Sequence, residues 1–216
     1  MKDIKLAIFD LDGTLVDAYE AITRSFNYTM KKYGYPPQDP LVIRRAVGWG
    51  DRNLLKPFVK KCDLHKALSV YRRHHRLSLL KYSRLIKGVR RILDYLKAKN
   101  YQLAVASNRP TLFSRLILRH LKLDRYFTYV LCADKLKHGK PHPEILQIIM
   151  RRLSVRPQET VYVGDMPIDA EAARRTAIRA VIVTGGSEGF TERSRAALRY
   201  GSGYGFPFFT QSPVTT

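Results

Sequence analysis

Asp10-Leu11-Asp12-Gly13-Thr14 sets two carboxylates two residues apart, directly after an apolar run that ends Leu6-Ala7-Ile8-Phe9. Carboxylates at the end of a buried strand are costly unless something pairs with them. The arrangement suits a site in which one carboxylate attacks phosphorus and the other moves a proton. It also offers oxygens to a hard cation such as Mg2+. An Asp-Gly turn closing a strand would account for Asp12-Gly13 alone. It does not account for the polar groups that follow in chain order: Ser107-Asn108, then Lys140 within Gly139-Lys140-Pro141-His142-Pro143-Glu144, then Gly164-Asp165 with Asp169 one helical turn later.

These groups need a scaffold. Apolar runs near Lys5–Phe9, Gln102–Ala106, Tyr129–Cys132, Thr160–Val163 and Ala180–Val183 read as strands. They alternate with helical patterns near Val89–Lys99, Leu112–Leu121, Pro143–Leu153 and Asp169–Arg175. That alternation predicts an α/β fold with a parallel sheet. In such sheets ligands gather beyond the carboxyl ends of the strands, and each polar group above falls at one of those ends. Residues 17–86 break the rhythm. No strand is expected there, and helices are expected over Ala18–Tyr33, Pro40–Val47, Asp51–Lys61 and Leu64–Tyr82, the first with Ile22, Phe26 and Met30 on one face. Asp17 is expected to cap the first of them. The segment reads as a helical insertion between the first and second strands, and Lys87-Gly88 returns the chain to the α/β part.

A hydrophobic content of 45% with 26% charged residues, over 216 residues, is that of a globular chain with one sizeable core and room for a small second domain. No apolar run reaches the length of a membrane span, and the first residues lead straight into the first strand, so a cytoplasmic protein without a signal peptide is expected. Cys62 and Cys132 lack metal-ligand spacing and read as buried free thiols of a reducing compartment. The net charge of +21, densest over residues 17–86, favours anionic ligands and permits non-specific nucleic-acid binding. There is no RNA-binding aromatic signature and no zinc-finger spacing.

The set and order of these residues resembles the haloacid dehalogenase-like hydrolase superfamily. Within it, the chain is most similar to the phosphoglycolate phosphatase and β-phosphoglucomutase branch, over about residues 1–186. The resemblance implies a Rossmann-like core from residues 1–16 and 87–216, with residues 17–86 forming a helical cap that selects the substrate. Residue by residue, it implies Asp10 as the nucleophile that forms a phosphoaspartate and Asp12 as the general acid/base. Ser107, Asn108 and Thr14 would surround the phosphoryl oxygens, and Lys140 would supply fixed positive charge. Asp10, the backbone carbonyl of Asp12 and Asp165 would hold Mg2+, with Asp169 at a metal-bound water or at Lys140. Dehalogenases and P-type ATPases lack the carboxylate matching Asp12, so phosphate-ester hydrolysis is expected.

Val47-Gly48-Trp49-Gly50-Asp51-Arg52 resembles the Val-Gly-x-Gly segment of phosphoglycolate phosphatases. Gly48 and Gly50 permit close backbone approach, Arg52 is expected to reach a substrate carboxylate or second phosphate, and Trp49 to sit beside it. β-Phosphoglucomutases resemble one another in a His five residues after the position of Asp17, where this chain has Ile22; His65, His74 and His75 are expected on the surface of a basic helix. The expected activity is Mg2+-dependent hydrolysis of a small anionic phosphorylated metabolite, with phosphoglycolate favoured. Pyrophosphate or nucleotide hydrolysis, a mutase and a polyanion-binding protein are the alternatives. Beyond about residue 186, Arg199-Tyr200-Gly201-Ser202-Gly203 stands where the family has an Ala-Asp-x-Val/Ile strand.

Overall fold

In the computed structural model, which describes residues 4–183, a five-stranded parallel sheet carries the fold. Its strands are β1 (Leu6–Phe9), β4 (Gln102–Ser107), β5 (Tyr129–Cys132), β6 (Thr160–Gly164) and β7 (Arg179–Ile182). They lie in the order β5-β4-β1-β6-β7. Both faces of the central strands are covered, which is why they read as continuous apolar runs rather than alternating ones. Ala7 and Phe9 face one core together with Leu103, Val105, Val161 and Val163. Leu6 and Ile8 face the other with Ala104, Ala106 and Tyr162. Helices α5 (Val89–Ala98) and α6 (Thr111–His120) pack on the first face through Leu93, Leu96, Phe113 and Ile117. Helices α7 (Glu144–Arg152) and α8 (Pro167–Arg175) pack on the second through Ile145, Ile149, Ala172 and Ala173.

Between β1 and α5 the chain forms a short antiparallel pair, β2 (Val16–Asp17) with β3 (Arg84–Leu85), which the sequence reading did not anticipate. The helices α1 (Tyr19–Lys32), α2 (Pro40–Ala46), α3 (Asp51–Leu55) and α4 (Leu64–Tyr82) lie between these two strands. The stripe Ile22, Phe26 and Met30 on α1 is buried, and the Phe26 ring meets Phe58 edge-on at 5.0 Å. Helix α3 is shorter than the 51–61 expected, because Pro57 has no N–H to continue the ladder. The Asp17 carboxylate accepts from the Tyr19 N–H at 3.2 Å while its backbone pairs with Arg84.

Two expectations of exposure are reversed. His75 is not on the surface but 2% exposed, stacked on Tyr71 at 4.9 Å and edge-on to Phe113 of α6 at 5.2 Å. The signal was present in α4: Leu64, Leu68, Tyr71, His75 and Leu79 recur at helical spacing, which places His75 on the apolar stripe. Cys62, expected to be buried, is exposed, whereas Cys132 is buried at the end of β5. Among the described residues, no helix is long and apolar enough to cross a membrane. The Gly-rich and aromatic segments after about Gly185, and the departure at Arg199–Gly203, lie outside the described residues.

The two cysteines give a direct check. Alkylation of the native protein is expected to label Cys62 within minutes and to leave Cys132 unlabelled until denaturant is added, as read by mass spectrometry of the peptides.

Candidate active site

The order of the sheet defines where a ligand can sit. From β1 the chain adds β4 and β5 on one side and β6 and β7 on the other, so a crevice opens at the carboxyl end of β1. Asp10 begins the loop there, anchored by its N–H to the Val163 carbonyl at 2.8 Å. Gly13 turns the loop with φ of +83°, and its N–H donates to Val16 O at 2.8 Å. A Cβ at Gly13 would lie 2.2 Å from Asp165 Oδ2, so only glycine lets β1 and β6 bring these acids so close. Thr14, expected near phosphate, donates its hydroxyl to Asp165 Oδ1 at 3.0 Å and so fixes a second acid.

At the centre is the Lys140 ammonium, 3% exposed. It donates to Asp10 Oδ1 at 2.7 Å, Asp169 Oδ1 at 2.8 Å and the Tyr162 hydroxyl at 2.9 Å. Tyr162 in turn donates to Asp169 Oδ1 at 2.8 Å. Asp169, fully buried near the start of α8, accepts at Oδ2 from the Met166 and Asp165 N–H groups at 3.0 and 3.3 Å. It therefore caps the helix and orients Lys140 with the same carboxylate. Gly164 leaves room for it: a Cβ there would lie 2.4 Å from the Asp169 Cβ.

The charges in this cluster do not balance. Burial pushes the Asp10 carboxyl well above the usual carboxylate range; Lys140 opposes this, and Asp169 and Asp165 add to it. Burial works to lower the Lys140 ammonium, but Asp10 and Asp169 outweigh it and raise it instead. Asp10, Asp165 and Asp169 each bring a carboxylate oxygen to within 4.8 Å of the others, all three buried. Three buried acids around one ammonium, all oxygen donors, fit a hard divalent cation.

Asn108, expected to offer its backbone N–H to phosphate, uses its side chain as a staple. Its Oδ1 accepts from Lys140 N at 2.8 Å, and its Nδ2 donates to Lys140 O at 2.9 Å and Gly48 O at 2.8 Å. Ser107 is buried beside it, its Oγ accepting from Arg109 N at 3.2 Å. Gly48 and Gly50 both have positive φ, and a Cβ at Gly48 would lie 2.5 Å from Met166 Sδ. These two glycines do line the cavity above Asp10, Ser107 and Lys140. Trp49 and Arg52 do not: Trp49 is 48% exposed, and Arg52 is exposed because α3 turns its side chain away from the lining residue Leu54.

The cation brought to the cavity in place of Arg52 is Arg109, which the sequence reading missed. It is 7% exposed and grips both Asp12 oxygens, Nε to Oδ2 at 2.7 Å and Nη2 to Oδ1 at 2.5 Å. Its Nη1 lies 3.3 Å from His75 Nε2. Burial and the adjoining Arg109 hold His75 well below the ordinary imidazole range, so it is neutral and accepts. The one local hint was its position, immediately after Ser107-Asn108. The cavity, about 50 Å3, has walls made largely of Ile22, Val47, Leu54, Phe113 and Ile168. At roughly 10–15 Å3 per water it holds a handful of waters, the scale of a small phosphate ester rather than a nucleotide.

Comparison with known proteins gives this geometry its relatives. The sequence profile of the haloacid dehalogenase-like hydrolases matches residues 7–183. Phosphoglycolate phosphatase 1 of Pseudomonas aeruginosa is 28% identical over 218 residues, spanning 97% of this chain and 75% of that protein. The phosphorylated carbohydrates phosphatase of Thermotoga maritima is 30% identical over 182 residues, spanning 82% of this chain and 84% of that one. The crystal structure of a predicted phosphoglycolate phosphatase from Haemophilus somnus superposes with a TM-score of 0.80 at 27% identity, covering 85% of this chain and 86% of the other.

Two outcomes follow from the charge imbalance and from the placement of Arg52. Because the folded-state pKa of Asp10 is raised above its unfolded value, the metal-free fold binds that proton more tightly than the unfolded chain does. The stability that Asp10 contributes is therefore fully present below about pH 4 and is lost as pH rises through its folded pKa. Thermal midpoints in EDTA at a series of pH values are expected to show this decline in wild type and a flatter profile in Asp10→Asn, with added Mg2+ raising the wild-type midpoint at neutral pH. Arg52→Ala is expected to leave kcat and KM within about two-fold of wild type, since exposed residues off the site change little; steady-state phosphate release checks this.

Proposed function

The chain belongs to the haloacid dehalogenase-like hydrolase family, and on that premise we propose that it is a Mg2+-dependent phosphatase of small anionic phosphate esters, with a phosphoaspartate intermediate. The observation that carries this reading is the buried Asp10–Lys140–Asp169 cluster, with Asp165 beside it, at the floor of a small cavity. Phosphoglycolate is the favoured substrate, because relatives named for it align over nearly the whole chain and the cavity has its scale. Residues 17–86 act as a cap, since Gly48, Gly50, Leu54 and His75 from this segment form the upper wall of the cavity.

Lys140 occupies Asp10 Oδ1 and leaves Oδ2 to attack phosphorus in line with the ester bond. As the Asp10–phosphorus bond forms and the ester bond breaks, Asp12 in its protonated form gives its proton to the leaving oxygen. The resulting Asp12 carboxylate then takes a proton from the water that attacks the phosphoaspartate, which releases phosphate and restores both acids. Ser107 and the Asn108 backbone face the phosphoryl oxygens, and Lys140 holds the substrate and Asp10 together against their mutual repulsion. Asp10, Asp165 and the Asp12 carbonyl would hold a divalent ion, which when bound would supply the positive charge that the three buried carboxylates lack. Mg2+ suits this set, because it keeps several waters and needs few carboxylates. Asp169 remains with Lys140, its two oxygens already accepting from four donors.

The mutase alternative is weakened by Ile22, which lines the cavity and carries no proton to move. The basic surface draws anionic substrates toward the site. We place the protein in the cytoplasm on its two free thiols, which suit a reducing compartment.

Phosphate release from phosphoglycolate is expected with Mg2+ and not with EDTA. Asp10→Asn is expected to abolish it while the protein stays folded by circular dichroism. Asp12→Asn is expected to lower kcat by about 10²–10⁴-fold. Turnover that persists in EDTA or in Asp10→Asn would falsify the reading.

A further inference from the structure

Of the described residues lining the cavity, only Lys140 and Arg109 carry a fixed positive charge. The ammonium of Lys140 is committed to Asp10, Asp169 and Tyr162. Arg109 is placed differently. Its partner is not a structural acid but Asp12, the proposed general acid/base. While both Asp12 oxygens lie on the guanidinium, neither is turned to an ester oxygen.

A guanidinium fork fits any carboxylate in this way, so Asp12 and a carboxylate on the substrate are competing ligands of one shape. The fork also has somewhere to stay when Asp12 leaves. The Ser25 hydroxyl donates to Ala21 O at 2.7 Å, and so accepts from His75 Nδ1–H at 3.2 Å. That fixes the tautomer with Nε2 bare, and Nε2 receives Arg109 Nη1–H at 3.3 Å. Helices α1 and α4 thus hold the guanidinium from the side opposite Asp12. The Nε–H and Nη2–H donors that grip Asp12 are the pair a substrate carboxylate would take over, while the Nη1–H donor stays on His75.

Resting on the phosphatase reading, we propose that Arg109 is the residue that reads a carboxylate on the substrate, and that by exchanging Asp12 for it Arg109 frees the Asp12 carboxylate to take up a proton from solvent water and give it to the leaving oxygen. The substrates favoured are phosphate monoesters with a carboxylate one or two carbons from the ester oxygen. An ester of the same size without the carboxylate leaves Asp12 on Arg109 and reacts slowly. Selectivity then resides in kcat as well as in KM. His75 is a positioning residue for the fork.

The test compares 2-phosphoglycolate with ethyl phosphate, which replaces the carboxylate by a methyl group, in the presence of Mg2+. Wild type is expected to favour phosphoglycolate by about 100-fold or more in kcat/KM, part of it in kcat, as expected where a site is built to bond a polar group. Arg109→Met is expected to lose most of that factor on phosphoglycolate while its kcat on ethyl phosphate rises. A damaged fold cannot produce opposite changes on two substrates. Arg109→Lys, which keeps the charge but not the fork, is expected to lie between the two. Equal losses on both esters, or no change on either, would overturn the proposal. A binding arm separates it from the phosphatase reading: calorimetry on Asp10→Asn, with and without Arg109→Met, using the same two esters. Tighter binding of phosphoglycolate that disappears with Arg109→Met supports the proposal even if wild type hydrolyses neither ester, an outcome that would remove the phosphatase reading alone. Equal binding of the two esters to Asp10→Asn would remove the proposal.

Discussion

The Lys140 ammonium, shared between Asp10 and Asp169 and removed from water, is the interaction around which the rest of this end of the sheet is arranged. A buried ammonium is tolerable only with carboxylates against it, and buried carboxylates only with donors against them. Each demand recruits another residue. Asp169 takes two backbone N–H groups at the start of α8, which forces glycine at 164. Tyr162 fills the gap between the ammonium and Asp169. Thr14 satisfies Asp165, and Gly13 lets that acid close in. The strand ends meet here because the sheet reverses its order at β1, and the helices on both faces exclude the water that would screen the charges. The cluster is a poor way to stabilise a protein and a good way to hold charged groups dry and preorganised at one end of the sheet.

This part of the molecule was legible in the sequence, and there are physical reasons for it. Central parallel strands must be apolar along their whole length, so β1, β4 and β6 announced themselves within a residue or so at each end. Paired acids at the carboxyl end of a buried strand are costly except at a site, so Asp10 and Asp12 stood out, whereas Asp165 and Asp169 were legible only through their spacing and their place in the order of the motifs. Lys140 was legible only as a member of the ordered set, since a lone lysine in a loop says little.

What was not legible depends on contacts between residues far apart in the chain. Arg109 looks like one of many arginines in a chain of net charge +21; only the closing of α4 onto α6 buries it between Asp12 and His75. Arg52 looked like the better candidate because it sits in a motif, yet α3 points it to solvent. His75 lay on the apolar stripe of α4, but a basic helix with three histidines invites the reading of a solvated face. The short pairing of β2 with β3 has two residues a side, too few for any periodicity to show. The bond from the Thr14 hydroxyl to Asp165 joins residues 151 positions apart, and no local pattern announces it.

The amide of Asn108 joins two structures that otherwise have separate lives. One end holds the backbone of Lys140 on both sides of the residue; the other holds Gly48 O, in the glycine-rich turn above the cavity. Residues 47–51 cannot lift without taking the acceptor from that amide, and the site cannot admit or release a molecule through its upper wall unless they lift. A shift of that turn is therefore felt at the backbone on both sides of Lys140, and a shift of the Lys140 loop at the turn, because one amide is the joint between them.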